Sequence, residues 1–362
     1  MKENKYDDVI LINNSIYEFI ASLLRLGMDD ILKENGEENG IAINEDIDKW
    51  AQSVLNFFDS DQKDVLNFYF NYYSYFGLGL FFFAKDYIDD CNNNKFSIKD
   101  FIEYLKTSKS EDYSLYLIQA ICNRKIGKET INNMKDFKNG YNLIEELTII
   151  PEKGKWQALK ILSKPVLIKN ELISFLEFYY NNFFHQKEEE VNIFINEYIN
   201  NSENQKKLKD AFLDSIYKTF SKEFIEEIYE SYNHIEVFVS YFCDFANYFC
   251  SHNKILIIGY RFPQFVRKMM GGTENLDRQL KVFKVLSDKT RVKILLEIKK
   301  GSKYLTEIAE IMEMSNPAIG YHINKLLGAG LIEIDKSENR IYYKLNENTF
   351  SELISQIREI FL

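Results

Sequence analysis

The chain has 362 residues, 46% hydrophobic and 28% charged, with a formal net charge of −10. At roughly 150 residues per domain that length is enough for two or three folded units, and the balance excludes a disordered or fibrous protein. The apolar runs fall short of the roughly 20 residues that a bilayer span requires.

Met1 to Asp8 is polar and acidic, unlike a secretory leader, so a cytoplasmic protein without membrane contact is expected. The most apolar stretch, Gly77 to Ala84 (GLGLFFFA), reads as a buried helix or strand. Four cysteines (Cys91, Cys122, Cys243, Cys250) lie far apart, which fits reduced thiols better than a disulfide framework. The charge is unevenly spread. From Asn275 onward there are 14 basic and 12 acidic residues, against 31 and 43 in the rest, so only the C-terminal part favours a polyanion.

The body, from about Ile16 to Glu230, reads as a series of amphipathic helices. Ser15 to Leu26 places Ile16, Phe19, Ile20, Leu23 and Leu24 at helical spacing, and Ser97 to Lys106 does the same with Ile98, Phe101, Ile102 and Leu105. Ser97, three residues before Asp100, has the pattern of an N-cap. Asn35 to Asn44, Cys91 to Lys95 and Asn200 to Lys207 are expected as loops or helix junctions. Two segments break the helical pattern, His234 to Tyr241 and Lys254 to Tyr260, and can pair with each other and with the N-terminal Asp8 to Asn13. Their aliphatic, β-rich composition predicts a small sheet. The Gly pair within Met269 to Thr273 marks a domain boundary, giving a helical domain over 1–270 and a second domain over 275–362.

From Leu276 the pattern becomes specific. Leu276 to Leu286 predicts a helix, with Ser287 and Asp288 ending it and capping the next, Thr290 to Lys300, whose Val292, Leu295 and Leu296 are expected to be buried. Gly301 closes that helix. Thr306 is expected to cap a short helix through Glu313 with Ile308, Ile311 and Met312 as its apolar residues, and Met314 and Ser315 form a turn. A second helix then starts at Asn316, with Pro317 in its first turn, where a missing N–H costs nothing. Two short helices joined by such a turn are a helix-turn-helix.

In the second helix Ile319, Ile323 and Leu326 stand at i, i+4 and i+7 and must face the core. Ser315, Asn316, Ala318, Gly320, Tyr321, Asn324 and Lys325 are left at the start and on the outward face. These residue types suit a major groove: Asn bonds adenine bidentately, Tyr and Lys reach phosphate or base edges, and Gly permits close approach. Leu331 to Ile334 and Arg340 to Leu345 alternate around Asp335 to Asn339 as a hairpin, the wing, where Lys336 and Arg340 are placed to touch DNA. Asn348 to Phe361 closes the unit as an amphipathic helix through Phe350, Leu353, Ile357 and Ile360.

Three segments, LSDKTRVKIL (Leu286 to Leu295), LTEIAEIMEMSNPAIGYHINKL (Leu305 to Leu326) and GAGLIEI (Gly328 to Ile334), resemble the arsenical-resistance repressor (ArsR/SmtB) family. The resemblance covers about a quarter of the chain. It implies a winged helix-turn-helix with Asn316 to Leu327 as recognition helix. It also implies a two-fold dimer through Leu276 to Leu286 and Asn348 to Phe361, whose apolar Leu276, Leu280, Phe350, Leu353 and Ile357 would meet across the seam. Ala318 and Gly320 stand where hydroxyl residues are usual in that family. Its metal sensors carry Cys in the first helix of the motif or Asp/His pairs in the last. Here Tyr304, Leu305 and Thr306 occupy the former place and no His or Cys follows His322, so no metal and no cofactor is expected. The body also faintly resembles, through Ser15 to Gly27, a helical domain of unknown function that precedes such winged helices in bacterial regulators.

The expected fold is therefore mainly α: a helical N-terminal domain with a small sheet, followed by a winged helix-turn-helix. The expected function is a homodimeric, DNA-binding transcriptional regulator of repressor type, whose body senses a small-molecule effector or a partner. The alternatives are a body that serves as an oligomerisation scaffold, or an unfamiliar enzyme fused to a winged helix. Nucleotide-loop, zinc-protease and nucleophile-elbow motifs do not occur. Cys243, Cys250 and His252 match no standard zinc spacing and read as core residues. The aromatic groups, Phe68 to Phe83 and Phe175 to Phe184, read as core sooner than as a ligand pocket.

Overall fold

A computed structural model describes residues 9–71, 76–91, 97–122, 136–146, 152–219, 235–250, 255–270, 282–314, 316–337 and 340–361. The chain divides into two compact units, one of residues 1–208 with 236–262 and one of residues 209–235 with 263–362. The boundary expected at the Gly pair falls on Gly271 and Gly272, outside the described residues.

The first unit begins with β1 (Val9–Ile12), α1 (Ser15–Gly27), α2 (Asp29–Glu38), α3 (Glu45–Phe57) and α4 (Ser60–Tyr69), followed by α5 (Gly79–Asp90), α6 (Ile98–Thr107) and α7 (Ser110–Cys122). It continues with α8 (Phe137–Glu146), α9 (Glu152–Ser163), α10 (Pro165–Tyr179), α11 (His185–Asn200) and the start of α12 (Ser202–Thr219), whose residues from Lys209 on count with the second unit. Tyr180–Phe184, a π-helical turn, joins α10 to α11. Helix α1 is the centre. Asn14 caps it by accepting from the amides of Ile16 and Tyr17, and every residue from Ile16 to Leu26 is buried, with α2 to α6 and α11 around it. The N-cap expected at Ser97 is present, its hydroxyl accepting from Asp100 N at 3.1 Å.

Two of the segments expected as loops or helix junctions are junctions, Asn35 to Asn44 between α2 and α3 and Asn200 to Lys207 between α11 and α12. Helix α2 runs through Asn35 and Gly36 to Glu38, and α12 starts at Ser202, with the Asn201 side chain accepting from the amides of Glu203 and Asn204. Of the third loop, Cys91 ends α5 and 92–96 lie outside the described residues.

The sheet expected from the three aliphatic segments forms from β1, β2 (Ile235–Ser240) and β4 (Ile255–Gly259), with β3 (Asn247–Cys250), which sequence alone did not suggest. Its order is β1-β2-β4-β3. β2 and β4 run parallel with Phe238 opposite Ile257, and β3 runs antiparallel to β4 with Tyr248 opposite Ile257.

Helix α1 carries a buried polar stripe, Glu18, Ser22 and Arg25, within its apolar surroundings. The Ser22 and Tyr179 hydroxyls share a hydrogen bond of 2.7 Å, and Arg25 pairs with Asp29. Glu18 Oε1 accepts from Phe242 N at 2.9 Å in the turn after β2, while its other carboxylate oxygen is buried without a hydrogen bond. Burial raises the Glu18 carboxyl from an ordinary 4.5 to about 7, opposed by the Phe242 amide and the Ser240 hydroxyl. Trp50 packs on Phe242 in the same turn, ring centroids 4.4 Å apart.

Of the aromatic groups expected as core, Tyr69, Phe70, Phe76, Phe81 to Phe83, Phe175, Tyr179, Tyr180 and Phe184 are buried and Phe68, Phe178 and Phe183 half-buried, while Tyr72, Tyr73 and Tyr75 lie outside the described residues. Cys243 is buried too, and burial pushes its thiol well above the usual range. Among the described residues no group of His, Cys, Asp and Glu could hold a metal ion. No described helix is long and apolar enough to cross a membrane.

Candidate nucleic-acid interface

The second unit includes α13 (Phe262–Met270), helical residues 282–286, α14 (Lys289–Lys299), the short strand β5 (Lys303–Tyr304), α15 (Leu305–Met312) and α16 (Asn316–Gly328). The hairpin strands β6 (Ile332–Ser337) and β7 (Arg340–Leu345) and the last helix α17 (Glu347–Phe361) complete it. One apolar core joins the elements from residue 282 onward: Val282, Val285, Ile294, Leu295, Ile298, Ile308, Ala309, Ile319, Ile323, Leu326, Leu331, Ile332 and Leu353.

Local chemistry sets each helix end. Asp288 caps α14 by accepting from Arg291 N at 2.9 Å, and Gly301, with φ +151°, lets the chain leave it. The cap of α15 is Tyr304 and not Thr306: Glu307 Oε2 accepts from Tyr304 N at 3.0 Å, the reciprocal half of a capping box, while Thr306 is buried inside the helix. Glu313 adopts the left-handed conformation, φ 52°, and the Met314 amide returns to Ala309 O at 3.0 Å. That turn sets α16 against α15. Ile319, Ile323 and Leu326 of α16 are 0%, 1% and 0% exposed, as their spacing requires.

Three inward assignments differ from expectation. Val292 and Leu296 of α14 are 36% and 55% exposed, and Ile311 of α15 is 47% exposed. Helix α14 is apolar on most of its circumference, so it can seat either of two stripes, and the core selects Ile294, Leu295 and Ile298. Leu353 is only 8% exposed and belongs to the module's own core, with Phe350 and Ile357 packed against it, whereas Ile354 is 56% exposed. The module therefore covers Leu353 itself, and Leu353 is not available to a dimer seam. Leu276 and Leu280 lie outside the described residues.

The outward face of α16 presents Tyr321 and Asn324 to solvent, with Gly320, Ala318 and Lys325 partly exposed. The Lys325 ammonium sits 5.3 Å from the centroid of the Tyr321 ring, one helical turn away, a cation–π arrangement that holds both side chains in place. Ser315 lies outside the described residues, and Asn316, Lys336 and Arg340 are placed by their backbone alone: Asn316 at the start of α16, and Lys336 and Arg340 on the two strands of the hairpin next to its tip. In that hairpin Lys336 is opposite Ile341 and Ser337 opposite Arg340.

His322, read as a scaffold residue, turns away from the outward face. Its Nδ1 is 3.9 Å from Asp288 Oδ1, so the cap of α14 and the second helix of the motif meet at that point. The Arg291 amide, then the charges of Arg291 and His322, hold the Asp288 carboxyl below its usual range. The sequence marks Asp288 as a cap, but its approach to His322 arises only from the crossing of α14 and α16.

Two short helices at a left-handed turn, followed by a two-stranded hairpin on a shared core, define a winged helix-turn-helix. Residues 288–333 match the model of the bacterial regulatory protein arsR family. The chain is 39% identical over 74 residues to the transcriptional repressor SdpR of Bacillus subtilis, covering 20% of this chain and 82% of that protein. It is 31% identical over 85 residues to the arsenical resistance operon repressor of Bacillus subtilis, covering 23% of this chain and 81% of that one. A solved ArsR-like transcriptional regulator from Rhodococcus aligns at 29% identity over 23% of this chain and 78% of its own, with a TM-score of 0.22. The chain belongs to the arsR family.

Proposed function

We propose that the chain is a DNA-binding transcriptional regulator of repressor type, with residues 275–362 as the DNA-binding domain and residues 1–270 as a domain for sensing or assembly. The observation that carries this reading is the two-sided register of α16, with three aliphatic residues sealed in the core and Tyr321 and Asn324 exposed on the other side. Family membership adds weight, since the named relatives are repressors. Helix α16 enters the major groove, Ser315, Asn316, Ala318, Gly320, Tyr321, Asn324 and Lys325 face the bases and nearby phosphates, and Lys336 and Arg340 of the wing meet the backbone. The partner is double-stranded DNA. A homodimer brings two such helices to successive turns of the duplex, ~34 Å apart, and α17 with its exposed Ile354 supplies part of the seam. The body receives the signal, a small-molecule effector or a partner protein.

Base edges specify and phosphates position, so substitutions on the two elements should differ in kind. Asn324→Ala or Tyr321→Ala should lower affinity for a selected duplex by about tenfold, near 1.4 kcal/mol, and leave binding to unrelated duplexes little changed. Lys336→Ala or Arg340→Ala should weaken both about equally and flatten the salt dependence. Competition binding on the two duplexes at several salt concentrations measures this. Equal losses on both duplexes for the α16 variants would remove those residues from the base-reading role.

A further inference from the structure

Glycine in the interior of a helix needs a reason, because it destabilises the helix relative to alanine. Two structural reasons are common: a backbone conformation that other residues avoid, or a neighbour too close for a Cβ. This chain uses both elsewhere. Gly330 has φ +69°, and a Cβ on Gly27 or Gly259 would collide with the backbone of Phe70 or Asp244. Neither reason holds at Gly320. It lies within α16 with an ordinary helical φ, and no described heavy atom comes within 4 Å of where its Cβ would stand.

The position of that open space suggests what occupies it. Gly320 precedes exposed Tyr321 and stands one turn from Asn316 on one side and from exposed Asn324 on the other, roughly a quarter turn round the helix from the buried stripe of Ile319, Ile323 and Leu326. It is a bare stretch of helix backbone flanked by side chains that can reach outward.

We infer that Gly320 is a specificity-determining residue, the point where a base edge in the major groove lies against the α16 backbone more closely than any side chain would allow. The inference rests on the proposed role of α16 as the recognition helix. The helix gives up intrinsic stability at this position, and what it gains is depth of entry: without a Cβ, the helix axis sits nearer the base pairs, and Tyr321 and Asn324 beside the gap reach further across the edge. A residue kept for stability would show the opposite trade.

The test separates stability from binding within the full-length protein. A duplex is selected by the wild-type protein from a random 20-base-pair library, and Gly320→Ala and Gly320→Val are compared with wild type on it and on an unrelated duplex of equal length. Gly320→Ala should slow hydrogen exchange of the Ile323 and Leu326 amides about fivefold, as expected for alanine replacing a helical glycine. It should bind the selected duplex at least about tenfold more weakly, with less than about a twofold change on the unrelated one, and Gly320→Val should lose more on the selected duplex. Wild-type affinity of Gly320→Ala for the selected duplex would overturn the inference, as would equal losses on both duplexes. If selection enriches no sequence, or if Tyr321→Ala and Asn324→Ala bind as wild type does, the reading of α16 as recognition helix fails and this inference falls with it.

Discussion

Leu353→Asp should unfold the winged module, whereas Ile354→Asp, one residue along the same helix, should leave it folded and separate the proposed dimer. Leu353 is 8% exposed and belongs to the module's apolar core, while Ile354 is 56% exposed. Burying a carboxylate there with no cation to meet it costs on the order of 4 kcal/mol, a large part of what a domain of this size has. At Ile354 the charge stays in water within one chain and meets a second carboxylate only across the proposed seam. Circular dichroism melting and light scattering distinguish the two. Loss of helical signal at Leu353→Asp with a folded monomer at Ile354→Asp is the expected pair of results. A folded dimer at both positions would contradict the packing and the seam.

Glu18→Gln should stabilise the body, and the gain should grow with pH. The folded carboxyl is raised from 4.5 to about 7, so its proton is bound more tightly in the folded state than in the unfolded one. The contribution of Glu18 is therefore fully present below about pH 4.5 and is lost as pH rises through 7. At about 1.4 kcal/mol per pH unit, the full cost of ionising the buried group is on the order of 3 kcal/mol above pH 8. Glutamine keeps a carbonyl to accept from Phe242 and carries no charge to bury. Both tryptophans, Trp50 and Trp156, lie in the body, and Trp50 packs on Phe242 beside Glu18, so tryptophan fluorescence during urea unfolding reports on this unit. Variant and wild type should be nearly equal at pH 5 and clearly different at pH 8. A difference that does not change with pH would show that Glu18 carries the same charge throughout.

How much of this was legible in the sequence depends on how many solutions a pattern admits. Helix α16 has one narrow apolar stripe, Ile319, Ile323 and Leu326, so its buried and exposed faces follow from spacing alone. Helix α14 has apolar residues at Val292, Ile294, Leu295, Leu296 and Ile298, which leaves the choice of buried face to its neighbours. Helix α17 shows the same limit in another form: periodicity identifies Leu353 as apolar and inward, but not whether its partner is the module's own core or a second chain. The strands β1, β2 and β4 stood out as aliphatic runs in a helical background. β3 (Asn247–Cys250) did not, because four residues with two aromatics carry no period to read. The approach of His322 to Asp288 is set by helix crossing, which local sequence does not encode.

The central claim is that DNA binding lies in the C-terminal module. The most direct measurement is the affinity of three chains for one 20-base-pair duplex selected by the full-length protein: the whole chain, residues 275–362, and residues 1–262. The module has its own core and a slight excess of basic over acidic residues, while the remainder is acidic. Residues 275–362 should bind, with affinity falling steeply as salt rises from 50 to 200 mM, because basic groups displace counterions from phosphates. Residues 1–262 should show no binding. Duplex binding by residues 1–262 as tight as that of the whole chain would contradict the account.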